Sequence, residues 1–223
     1  MVLRRTIPAT ASVVKKMNGD RLHSPAAAKN VGHITELVCS VSPKNGTALE
    51  IASGTGQHII KLAAVIPNLT WQPSDIDTAR LNSIVSWSFE KQLPNLLPPI
   101  KLDVTDEGWS ALCPNQDLIL LVNLLHLVSE SEAKVIIDGI SKSLMPGGRC
   151  VIYGPFMRDG FLTSDGDKCF HQSLVEADPD IGYKDDKWML DMFQNYNLEI
   201  VKIANMPANN LAFVIEKNHL KHS

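Results

Sequence analysis

The alternation of apolar and polar positions along the chain predicts an α/β fold. Short apolar runs of strand length alternate with segments in which apolar residues recur at helical spacing. The predicted strands cover residues 47–52, 69–73, 100–104, 117–123 and 150–153. The first predicted helix begins at Ser24-Pro25 and ends before Pro43. Three further helices are predicted at residues 57–66, 78–90 and 130–144. This repetition of β and α units predicts a parallel, doubly wound sheet in a single domain.

The C-terminal part of the chain breaks this rhythm. A predicted helix, 187–196, is followed by two strands, 198–204 and 211–216, with only the short loop 205–210 between them. A connection of that length permits only an antiparallel hairpin. The sequence therefore predicts a Rossmann-like, doubly wound, mostly parallel seven-stranded sheet that ends in a C-terminal antiparallel hairpin.

Composition and charge exclude several classes of function. The 223 residues carry a formal net charge of −3, so the chain lacks the basic excess that general nucleic-acid binding requires. The apolar runs are too short to cross a bilayer, which predicts a soluble protein without a membrane partner. The four cysteines form no CxxC pair, and no two histidines lie with cysteines at zinc-ligand spacing. Neither a structural disulfide nor a metal site is therefore indicated.

Residues 1–20 are predicted to be a flexible leader that precedes a single domain, 21–223. The leader contains four basic residues, several Ser and Thr residues and no acidic residue before Asp20. This composition has some character of a mitochondrial transit peptide, but no clear amphipathic stripe accompanies it. An unstructured leader on a cytoplasmic protein is therefore the favoured interpretation, and a mitochondrial location is the alternative.

The strongest local signal for ligand binding is the stretch ALEIASGTGQH. A buried strand delivers Glu50, and the chain then turns through Ala52, Gly54 and Gly56 into a helix. Glycines permit positive φ and let a ligand lie against bare backbone, while the helix N-terminus offers unpaired N–H groups. A P-loop would need a lysine after the glycines, and a dinucleotide fingerprint would need a small residue where Ile59 stands. A purely structural strand–helix turn remains the alternative to a ligand site.

Three acidic residues lie at the ends of successive predicted strands. Glu50 belongs to the first strand, Asp75 follows the second, and Asp103 lies in the last residues of the third. Open α/β sheets bind ligands at the carboxyl ends of their strands, where an acid after the second strand accepts hydrogen bonds from ribose hydroxyls. Asp77 is the alternative ribose ligand, although it also stands where a helix N-cap is expected. Asp103 has a comparable alternative as a loop residue that caps the next segment.

Two polar residues follow the fourth predicted strand. Asn123 ends that strand, and His126 lies three residues later. Because imidazole titrates near neutrality, His126 is a candidate general base, and a structural, hydrogen-bonded histidine is the alternative. Asn123 is a candidate contact to cofactor or substrate.

Six stretches of the sequence together resemble one protein family. They are SPAAAKN, ALEIASGTGQH, WQPSDID, NLLHL, YGPF with the Arg and Asp-Gly that follow it, and MPANN. The set is similar to the methyltransferase-like protein twenty-six family and its bacterial relatives, over nearly the whole chain after the leader. The resemblance implies a class I methyltransferase fold that binds S-adenosyl-L-methionine. The chain departs from the general class I motif at Ala52, where that motif has glycine.

The resemblance also implies roles for individual residues. Glu50 would contact the amino group of the methionine moiety, and the glycine loop would wrap the cofactor. Asp103 would lie near the adenine amino group with Val104 against the ring, and Asn123 would point toward the transferred methyl group. These roles add to the ribose role of Asp75.

Polar residues near the same edge of the sheet are candidates for contact with the methyl acceptor. Tyr153 and Arg158 follow the fifth predicted strand, and Asn209 and Asn210 lie in the hairpin loop. Each of them can equally be a solvent-facing turn residue. The long segment 159–186 is predicted to form a lid over the cofactor.

These observations predict methyl transfer from S-adenosylmethionine to a small molecule or a protein side chain. The alternative is a non-catalytic module that keeps the fold and the cofactor as a structural ligand, which the absence of a clear catalytic motif after the fourth strand favours. A nicotinamide-dependent oxidoreductase is disfavoured by Ile59 in the fingerprint.

Overall fold

The computed structural model describes residues 13–218. The strands within that range are β1 (Lys15–Lys16), β2 (Leu22–His23), β3 (Gly46–Ile51), β4 (Leu69–Asp75), β5 (Ile100–Lys101), β6 (Gln116–Val122), β7 (Leu144–Met157), β8 (Lys184–Asp185), β9 (Leu198–Asn205) and β10 (Asn210–Lys217). The helices are α1 (Pro25–Val41), α2 (Gln57–Val65), α3 (Thr78–Lys91), α4 (Glu130–Ser143), α5 (Asp165–Ala177) and α6 (Asp186–Asn195), and Trp109–Leu112 and Leu125–Leu127 form short 3₁₀ turns.

The central sheet has the predicted topology. Its strand order is β5-β4-β3-β6-β7-β10-β9, and the first five of these strands are parallel. β10 is antiparallel to both β7 and β9, as the short loop between the last two strands requires. The Rossmann-like, mostly parallel fold with a C-terminal antiparallel hairpin is therefore confirmed.

The sheet contains eight strands within residues 13–218, one more than the predicted seven. The additional strand is β8, which pairs in parallel with the end of β7 through Phe156 and Lys184. This pairing is possible because β7 extends to Met157, four residues beyond its predicted end at Tyr153.

The third strand of the prediction is shorter than residues 100–104. Only Ile100 and Lys101 pair with β4, although the N–H of Leu102 still donates to the Asp75 carbonyl. Asp103 then ends the strand, because its Oδ1 accepts hydrogen bonds from the N–H and the hydroxyl of Thr105.

Each face of the sheet carries its own apolar core, as a doubly wound fold requires. The side chains of β6 alternate between them: Leu118 and Leu120 pack with α1, α2 and α3, whereas Ile119 and Leu121 pack with α4 and α6. All four are at most 1% exposed, so each contributes about 1.5–3 kcal/mol of hydrophobic stabilisation.

The N-terminal region is described only in part. β1 pairs with β2 as a short antiparallel ladder, so some residues of the predicted leader pair with the chain that follows it. Residues 1–12 of the predicted leader lie outside the described range. The helices of residues 13–218 include none long and apolar enough to cross a membrane.

Candidate ligand site at the carboxyl edge of the sheet

The turn between β3 and α2 is held in a left-handed conformation at three positions. Ala52, Gly54 and Gly56 have φ values of 52°, 59° and 89°. At Gly56 a Cβ atom would also lie 3.1 Å from the Cγ1 atom of Ile84, so glycine is needed there for space as well as for backbone conformation. Alanine tolerates the left-handed region at a cost of about 1 kcal/mol, which explains how Ala52 stands where the class I motif has glycine.

Asp75 fastens this turn to the neighbouring strand. Its Oδ2 accepts a hydrogen bond from the N–H of Gly54 at 2.9 Å, and its Oδ1 accepts one from the N–H of Asp77 at 2.9 Å. Burial raises the pKa of the Asp75 carboxyl, and the hydrogen bond from Asp77 opposes that shift. Asp77 itself is the N-cap of α3, since its Oδ1 accepts from the N–H of Arg80. A ribose role for Asp75 therefore stays a prediction, for a carboxylate that already accepts two backbone hydrogen bonds.

Glu50 is a buried acid with an unused acceptor atom. It is 1% exposed, and its Oε2 has no hydrogen-bond partner among the described residues. Burial raises the pKa of Glu50 to about 8, a hydrogen bond with Ser53 lowers it, and the nearby Asp75 raises it. At neutral pH the carboxyl is therefore mostly protonated, and a cationic partner would favour its ionised form.

A cavity of about 640 Å³ opens beside Glu50 at the carboxyl edge of the sheet. Its walls come from the start of α1, the glycine loop, the ends of β6 and β7, the β9–β10 loop and the segment around α5. The lining residues include Ser24, Lys29, Asn30, Glu50, Ala52, Gly54, His58, Arg80, Asn123, Leu124, His126, Tyr153, Asp167, Phe170, Tyr183, Pro207 and Asn210. A cavity of this volume, mainly apolar with a few converging polar groups, is typical of a small-molecule site.

His126 lies in this cavity wall as a neutral imidazole. It is 5% exposed in the short 3₁₀ turn after β6, with ring centroids 5.6 Å from Phe170 and 6.2 Å from Tyr183. Burial, with the positive charge of Lys184 as a smaller cause, lowers the pKa of His126 to about 3. A base with so low a pKa accepts a proton poorly at neutral pH. The role of His126 as a general base therefore stays a prediction, and its low pKa argues against it.

The predicted cofactor residues separate into two groups. Glu50, Ala52, Gly54 and Asn123 line the cavity. The remaining four, Gly56, Asp75, Asp103 and Val104, are not among the described residues that line it. The glycine loop and the residue that follows β6 thus come together at the cavity. Asp75 instead binds the N–H of Gly54, and Asp103 binds Thr105.

The predicted acceptor-binding residues separate in the same way. Tyr153 and Asn210 line the cavity, and Arg158 and Asn209 do not. Arg158 Nη2 donates to the Asn209 carbonyl at 3.0 Å, and Asn209 Nδ2 donates to Asp167 Oδ2 at 3.1 Å. These two residues therefore join the hairpin loop to β7 and α5.

The predicted lid segment, 159–186, contains a helix that the sequence analysis did not place. Asp167, in the first turn of α5, accepts hydrogen bonds from Thr163, Ser164, Tyr183 and Asn209. The segment contributes Asp167, Phe170 and Tyr183 to the cavity wall, and its role as a lid stays a prediction.

Several cavity residues were missed at the level of sequence, namely Asn30, His58, Asp167, Phe170 and Tyr183. A signal existed for two of them. Asn30 lies four residues before Ile34 on the buried stripe of α1, and His58 lies four residues before Leu62 on that of α2. A polar residue on an apolar helix face points to a buried hydrogen bond, and here His58 Nε2 lies 2.8 Å from Asn30 Oδ1.

A family model matches residues 21–217, which is most of the chain. The chain belongs to this family, described as "Protein of unknown function (DUF938)". The match covers every element of the central sheet and the whole cavity wall from α1 onward, so the site lies inside the DUF938 region.

Solved structures of methyltransferases have the same fold as this DUF938 chain. An O-methyltransferase family protein from Burkholderia thailandensis has a TM-score of 0.76 at 16% identity, with 88% of this chain and 57% of that chain covered. Human N-acetylserotonin methyltransferase, solved in complex with SAM, has a TM-score of 0.71 at 14% identity, with 87% and 53% covered. The CalO1 methyltransferase of calicheamicin biosynthesis, in its SAH-bound form, has a TM-score of 0.68 at 13% identity, with 86% and 54% covered.

The DUF938 chain therefore spans a little over half the length of these proteins. At such low identities the likeness establishes a class I methyltransferase fold. The activity of the longer proteins has to be argued for this chain from its own residues.

Proposed function

We propose that this DUF938 protein is an S-adenosylmethionine-dependent methyltransferase. The observation that carries the proposal is the buried Glu50, whose Oε2 no described residue contacts, beside a glycine loop that presents bare backbone to the same cavity. A buried carboxyl is stable in ionised form only beside a positive charge, and the ammonium group of the methionine moiety supplies one. The residues present thus fit the cofactor, and the SAM- and SAH-bound structures of the same fold support this fit.

The chain's own residues would bind and orient the cofactor. Glu50 would accept a hydrogen bond from the amino group, while Ala52 and Gly54 leave the backbone accessible. Asn123, which follows β6, lines the same cavity. The cofactor supplies an activated methyl group, so the protein contributes alignment and exclusion of water. Leu124, Phe170 and Tyr183 add apolar surface to the cavity wall, which would help to exclude water from the reacting atoms.

The acceptor that this cavity favours is a small molecule, with a protein side chain as the wider possibility. His126 would face that acceptor as a neutral imidazole, able to orient a hydroxyl by hydrogen bonding. We also propose that the chain is related to the methyltransferase-like protein twenty-six family, as the shared motifs suggest. The proposal further includes a single domain over residues 21–223 and a cytoplasmic location.

A second candidate is a non-catalytic module that binds the same cofactor. The observation in its favour is the pKa of about 3 for His126, which leaves the cavity without a strong base among the predicted catalytic residues. Such a module would bind the cofactor and transfer nothing.

The two candidates are separated by a binding titration and a transfer assay. We expect calorimetric titration with S-adenosylmethionine to saturate. Glu50→Gln should weaken binding at least tenfold, because a neutral amide cannot form an ion pair with an ammonium group. Asp117→Asn serves as the control, since Asp117 binds Thr47 at the opposite end of β3. Transfer of labelled methyl to a small-molecule extract, lost in Glu50→Gln, supports the enzyme. Binding without transfer supports the module, and no binding at millimolar cofactor contradicts both.

A further inference from the structure

Three aromatic rings lie together in the cavity wall. They belong to His126 after β6, Phe170 in α5 and Tyr183 just before β8. Their centroids are 5.6, 6.2 and 6.0 Å apart, and their planes are inclined to one another by 63°, 70° and 71°. Three planes so steeply inclined meet in a corner, and all three residues line the cavity. We call these three residues the aromatic corner.

The dimensions of the aromatic corner match a small positively charged group. A cation on the axes of three perpendicular rings about 6 Å apart would lie about 4 Å from each centroid, within the range of cation–π attraction. Quaternary ammonium groups are commonly recognised by aromatic side chains grouped in this way.

A carboxylate is hydrogen-bonded to one of the rings. The Tyr183 hydroxyl donates to Asp167 Oδ1 at 3.1 Å, and Asp167 lines the same cavity. Burial raises the pKa of the Asp167 carboxyl, but hydrogen bonds together lower it below its ordinary value, so the group is ionised at neutral pH. Burial, with the charge of Asp167 as a smaller cause, raises the pKa of Tyr183, which therefore keeps its proton. A hydrogen bond donated to an anion polarises the phenol ring, which makes its face more attractive to a cation.

Lys184 is a positive charge close to the corner that has to be weighed against a cation site. Its charge contributes to the lowered pKa of His126. The Lys184 ammonium group donates to two backbone carbonyls at 2.7 and 3.0 Å, and Lys184 is not among the described residues that line the cavity. Glu130 and Glu132 interact with it favourably, so they offset its charge in part.

The aromatic corner lies toward the β7 side of the cavity, whereas the glycine loop lies on the β3 side. β3 pairs with one edge of β6 and β7 with the other. β8, which begins directly after Tyr183, pairs with the end of β7. With the cofactor at Glu50 and the glycine loop, as the proposed function has it, the corner is left for the methyl acceptor.

We propose that the aromatic corner binds the nitrogen atom of the methyl acceptor, which is a small neutral amine that becomes an ammonium ion. The inference rests on the proposed function. The lone pair of the amine nitrogen forms a bond to the methyl carbon while the bond between this carbon and sulfur breaks, and the electrons of that bond stay on sulfur. The positive charge therefore passes from sulfur to nitrogen. The ring faces and Asp167 stabilise this charge as it develops, which favours the transition state over the neutral acceptor.

An amine acceptor also fits the low basicity of His126. A hydroxyl group gives up a proton when it is methylated, and a base has to take that proton. A tertiary amine has no such proton, and a primary or secondary amine releases its proton to water after the transfer. The neutral imidazole of His126 can orient a hydroxyl, but burial lowers its pKa to about 3 and it takes a proton poorly.

The charge preference of the corner is tested by binding alone. The probes are choline and 3,3-dimethylbutan-1-ol, which have the same shape, although a carbon atom replaces the charged nitrogen in the second. We expect the protein saturated with S-adenosylhomocysteine to bind choline about tenfold more tightly than the neutral alcohol in NMR titrations. Equal affinities, or no binding of choline at about 100 mM, would overturn the proposal.

Substitution of one ring tests whether the corner causes this preference. Phe170→Leu should weaken choline binding about fivefold and change the affinity for the neutral alcohol less than twofold, because leucine is apolar but has no π face. Phe161→Leu makes the same change at a side chain that is 73% exposed and absent from the described cavity wall, so it is the control. An equal loss for both probes would contradict the proposal, since the ring would then supply only apolar surface. Melting curves verify that both variants are folded.

The acceptor atom is tested by transfer of labelled methyl to a small-molecule extract. Hot hydriodic acid releases O-methyl groups as volatile methyl iodide and leaves N-methyl groups in place. We expect the labelled products to bind a cation exchanger at pH 5 and to keep their label in this acid. Volatile label, or label on neutral products, would overturn the proposal.

The outcomes distinguish this proposal from the proposed function. If the unaltered protein does not bind S-adenosylhomocysteine, the proposed function fails and the amine acceptor fails with it. If it binds, and choline is not preferred or the label is on oxygen, only the amine acceptor is wrong. If Phe170→Leu weakens binding of S-adenosylmethionine but not of S-adenosylhomocysteine, the corner holds the sulfonium group, and the amine acceptor is again wrong.

Discussion

The two walls of the cavity are held together by different kinds of contact. In the glycine-loop wall, residues 50–58, backbone groups bind directly to the neighbouring strand: the N–H of Ser53 donates to the Ser74 carbonyl at 2.7 Å, and the N–H of Gly54 donates to Asp75. In the helical wall, residues 163–184, several hydrogen bonds converge on one side chain. Four donors meet at Asp167, and Lys184 Nζ donates to the carbonyls of Val128 and Gly182.

This difference in construction teaches which part of the site can vary. The glycine loop is continuous with the buried sheet, so the fold itself determines the shape of the loop. Such a loop suits a ligand that many proteins of the same fold bind. The helical wall rests largely on side-chain hydrogen bonds, so a few substitutions can reshape it. Sites that open and close are generally drawn from such weakly held regions.

The largest expected difference between the walls concerns pH. Glu50 has a pKa of about 8 in the folded chain against 4.5 as its ordinary value, so between these values the native state binds more protons than the unfolded one. The free energy of unfolding therefore decreases as pH rises from 4.5 through 8, by on the order of 5 kcal/mol. Urea denaturation at pH 5, 7 and 9 should show this decrease for the unaltered chain and not for Glu50→Gln.

His126, which packs against Phe170 and Tyr183 of the helical wall, should show the opposite dependence of stability on pH. His126 has its pKa lowered from 6.5 to about 3, so its contribution is present above pH 6.5 and is lost as pH falls toward 3. If the free energy of unfolding depended on pH in the same way for Glu50→Gln and the unaltered chain above pH 7, Glu50 would already be ionised in the folded chain. The predicted difference in pH dependence between Glu50 and His126 would then be wrong.

The next largest effect is expected from the fastening of the glycine loop. Asp75→Ala leaves the partly buried N–H groups of Gly54 and Asp77 without their acceptor, which should lower the free energy of unfolding by about 3 kcal/mol. For a chain of this length the midpoint of thermal unfolding should fall by about 6–12 °C. Asp77→Ala, which removes only the N-cap of α3, should lower the free energy by about 1 kcal/mol. Equal losses for the two variants would show that Asp75 is no more than a second cap.

The smallest effect is expected in the helical wall. Asp167→Asn weakens the bonds that converge on this carboxylate, yet it should change the free energy of unfolding by less than about 1 kcal/mol because the site is half-exposed. Hydrogen exchange of the amides of residues 163–177 should nevertheless accelerate about tenfold, while β3 and β6 stay protected. Asp165→Asn is the matched control, since its exposed carboxylate contacts only Lys168 among the partners described for it. Acceleration across the central strands would mean that the wall is not an independent unit.

The sequence predicted the fold well because the central strands are strongly apolar and their connections are regular. The run Leu118–Leu121 indicated a strand covered on both faces, and the short loop before β10 left only an antiparallel hairpin. The strand at residues 100–104 was predicted too long because the bond from Thr105 to Asp103, which bends the chain, depends on side-chain geometry. β8 was missed because two residues carry no periodicity.

The site was predicted in part for the same reason. Glu50, the glycines and Asn123 follow directly from strand ends, whose positions the apolar pattern sets. Asp75 and Asp77 could not be separated by spacing alone, since the roles of the two depend on which N–H groups each carboxylate reaches. The helical wall lay beyond reach, because Phe170 and Tyr183 approach His126 only through the tertiary placement of α5.

The left-handed alanine of the glycine loop has a consequence for how a ligand meets the site. Ala52 holds φ at 52°, a conformation that an alanine rarely adopts in an unfolded chain. The loop is therefore arranged when the chain folds, and a ligand does not have to supply the roughly 1–2 kcal/mol that fixing each backbone residue costs. Such a loop is preorganised, so a ligand can bind to it without a rearrangement of its backbone. Any slow closing step of the site is then expected in the helical wall, at α5.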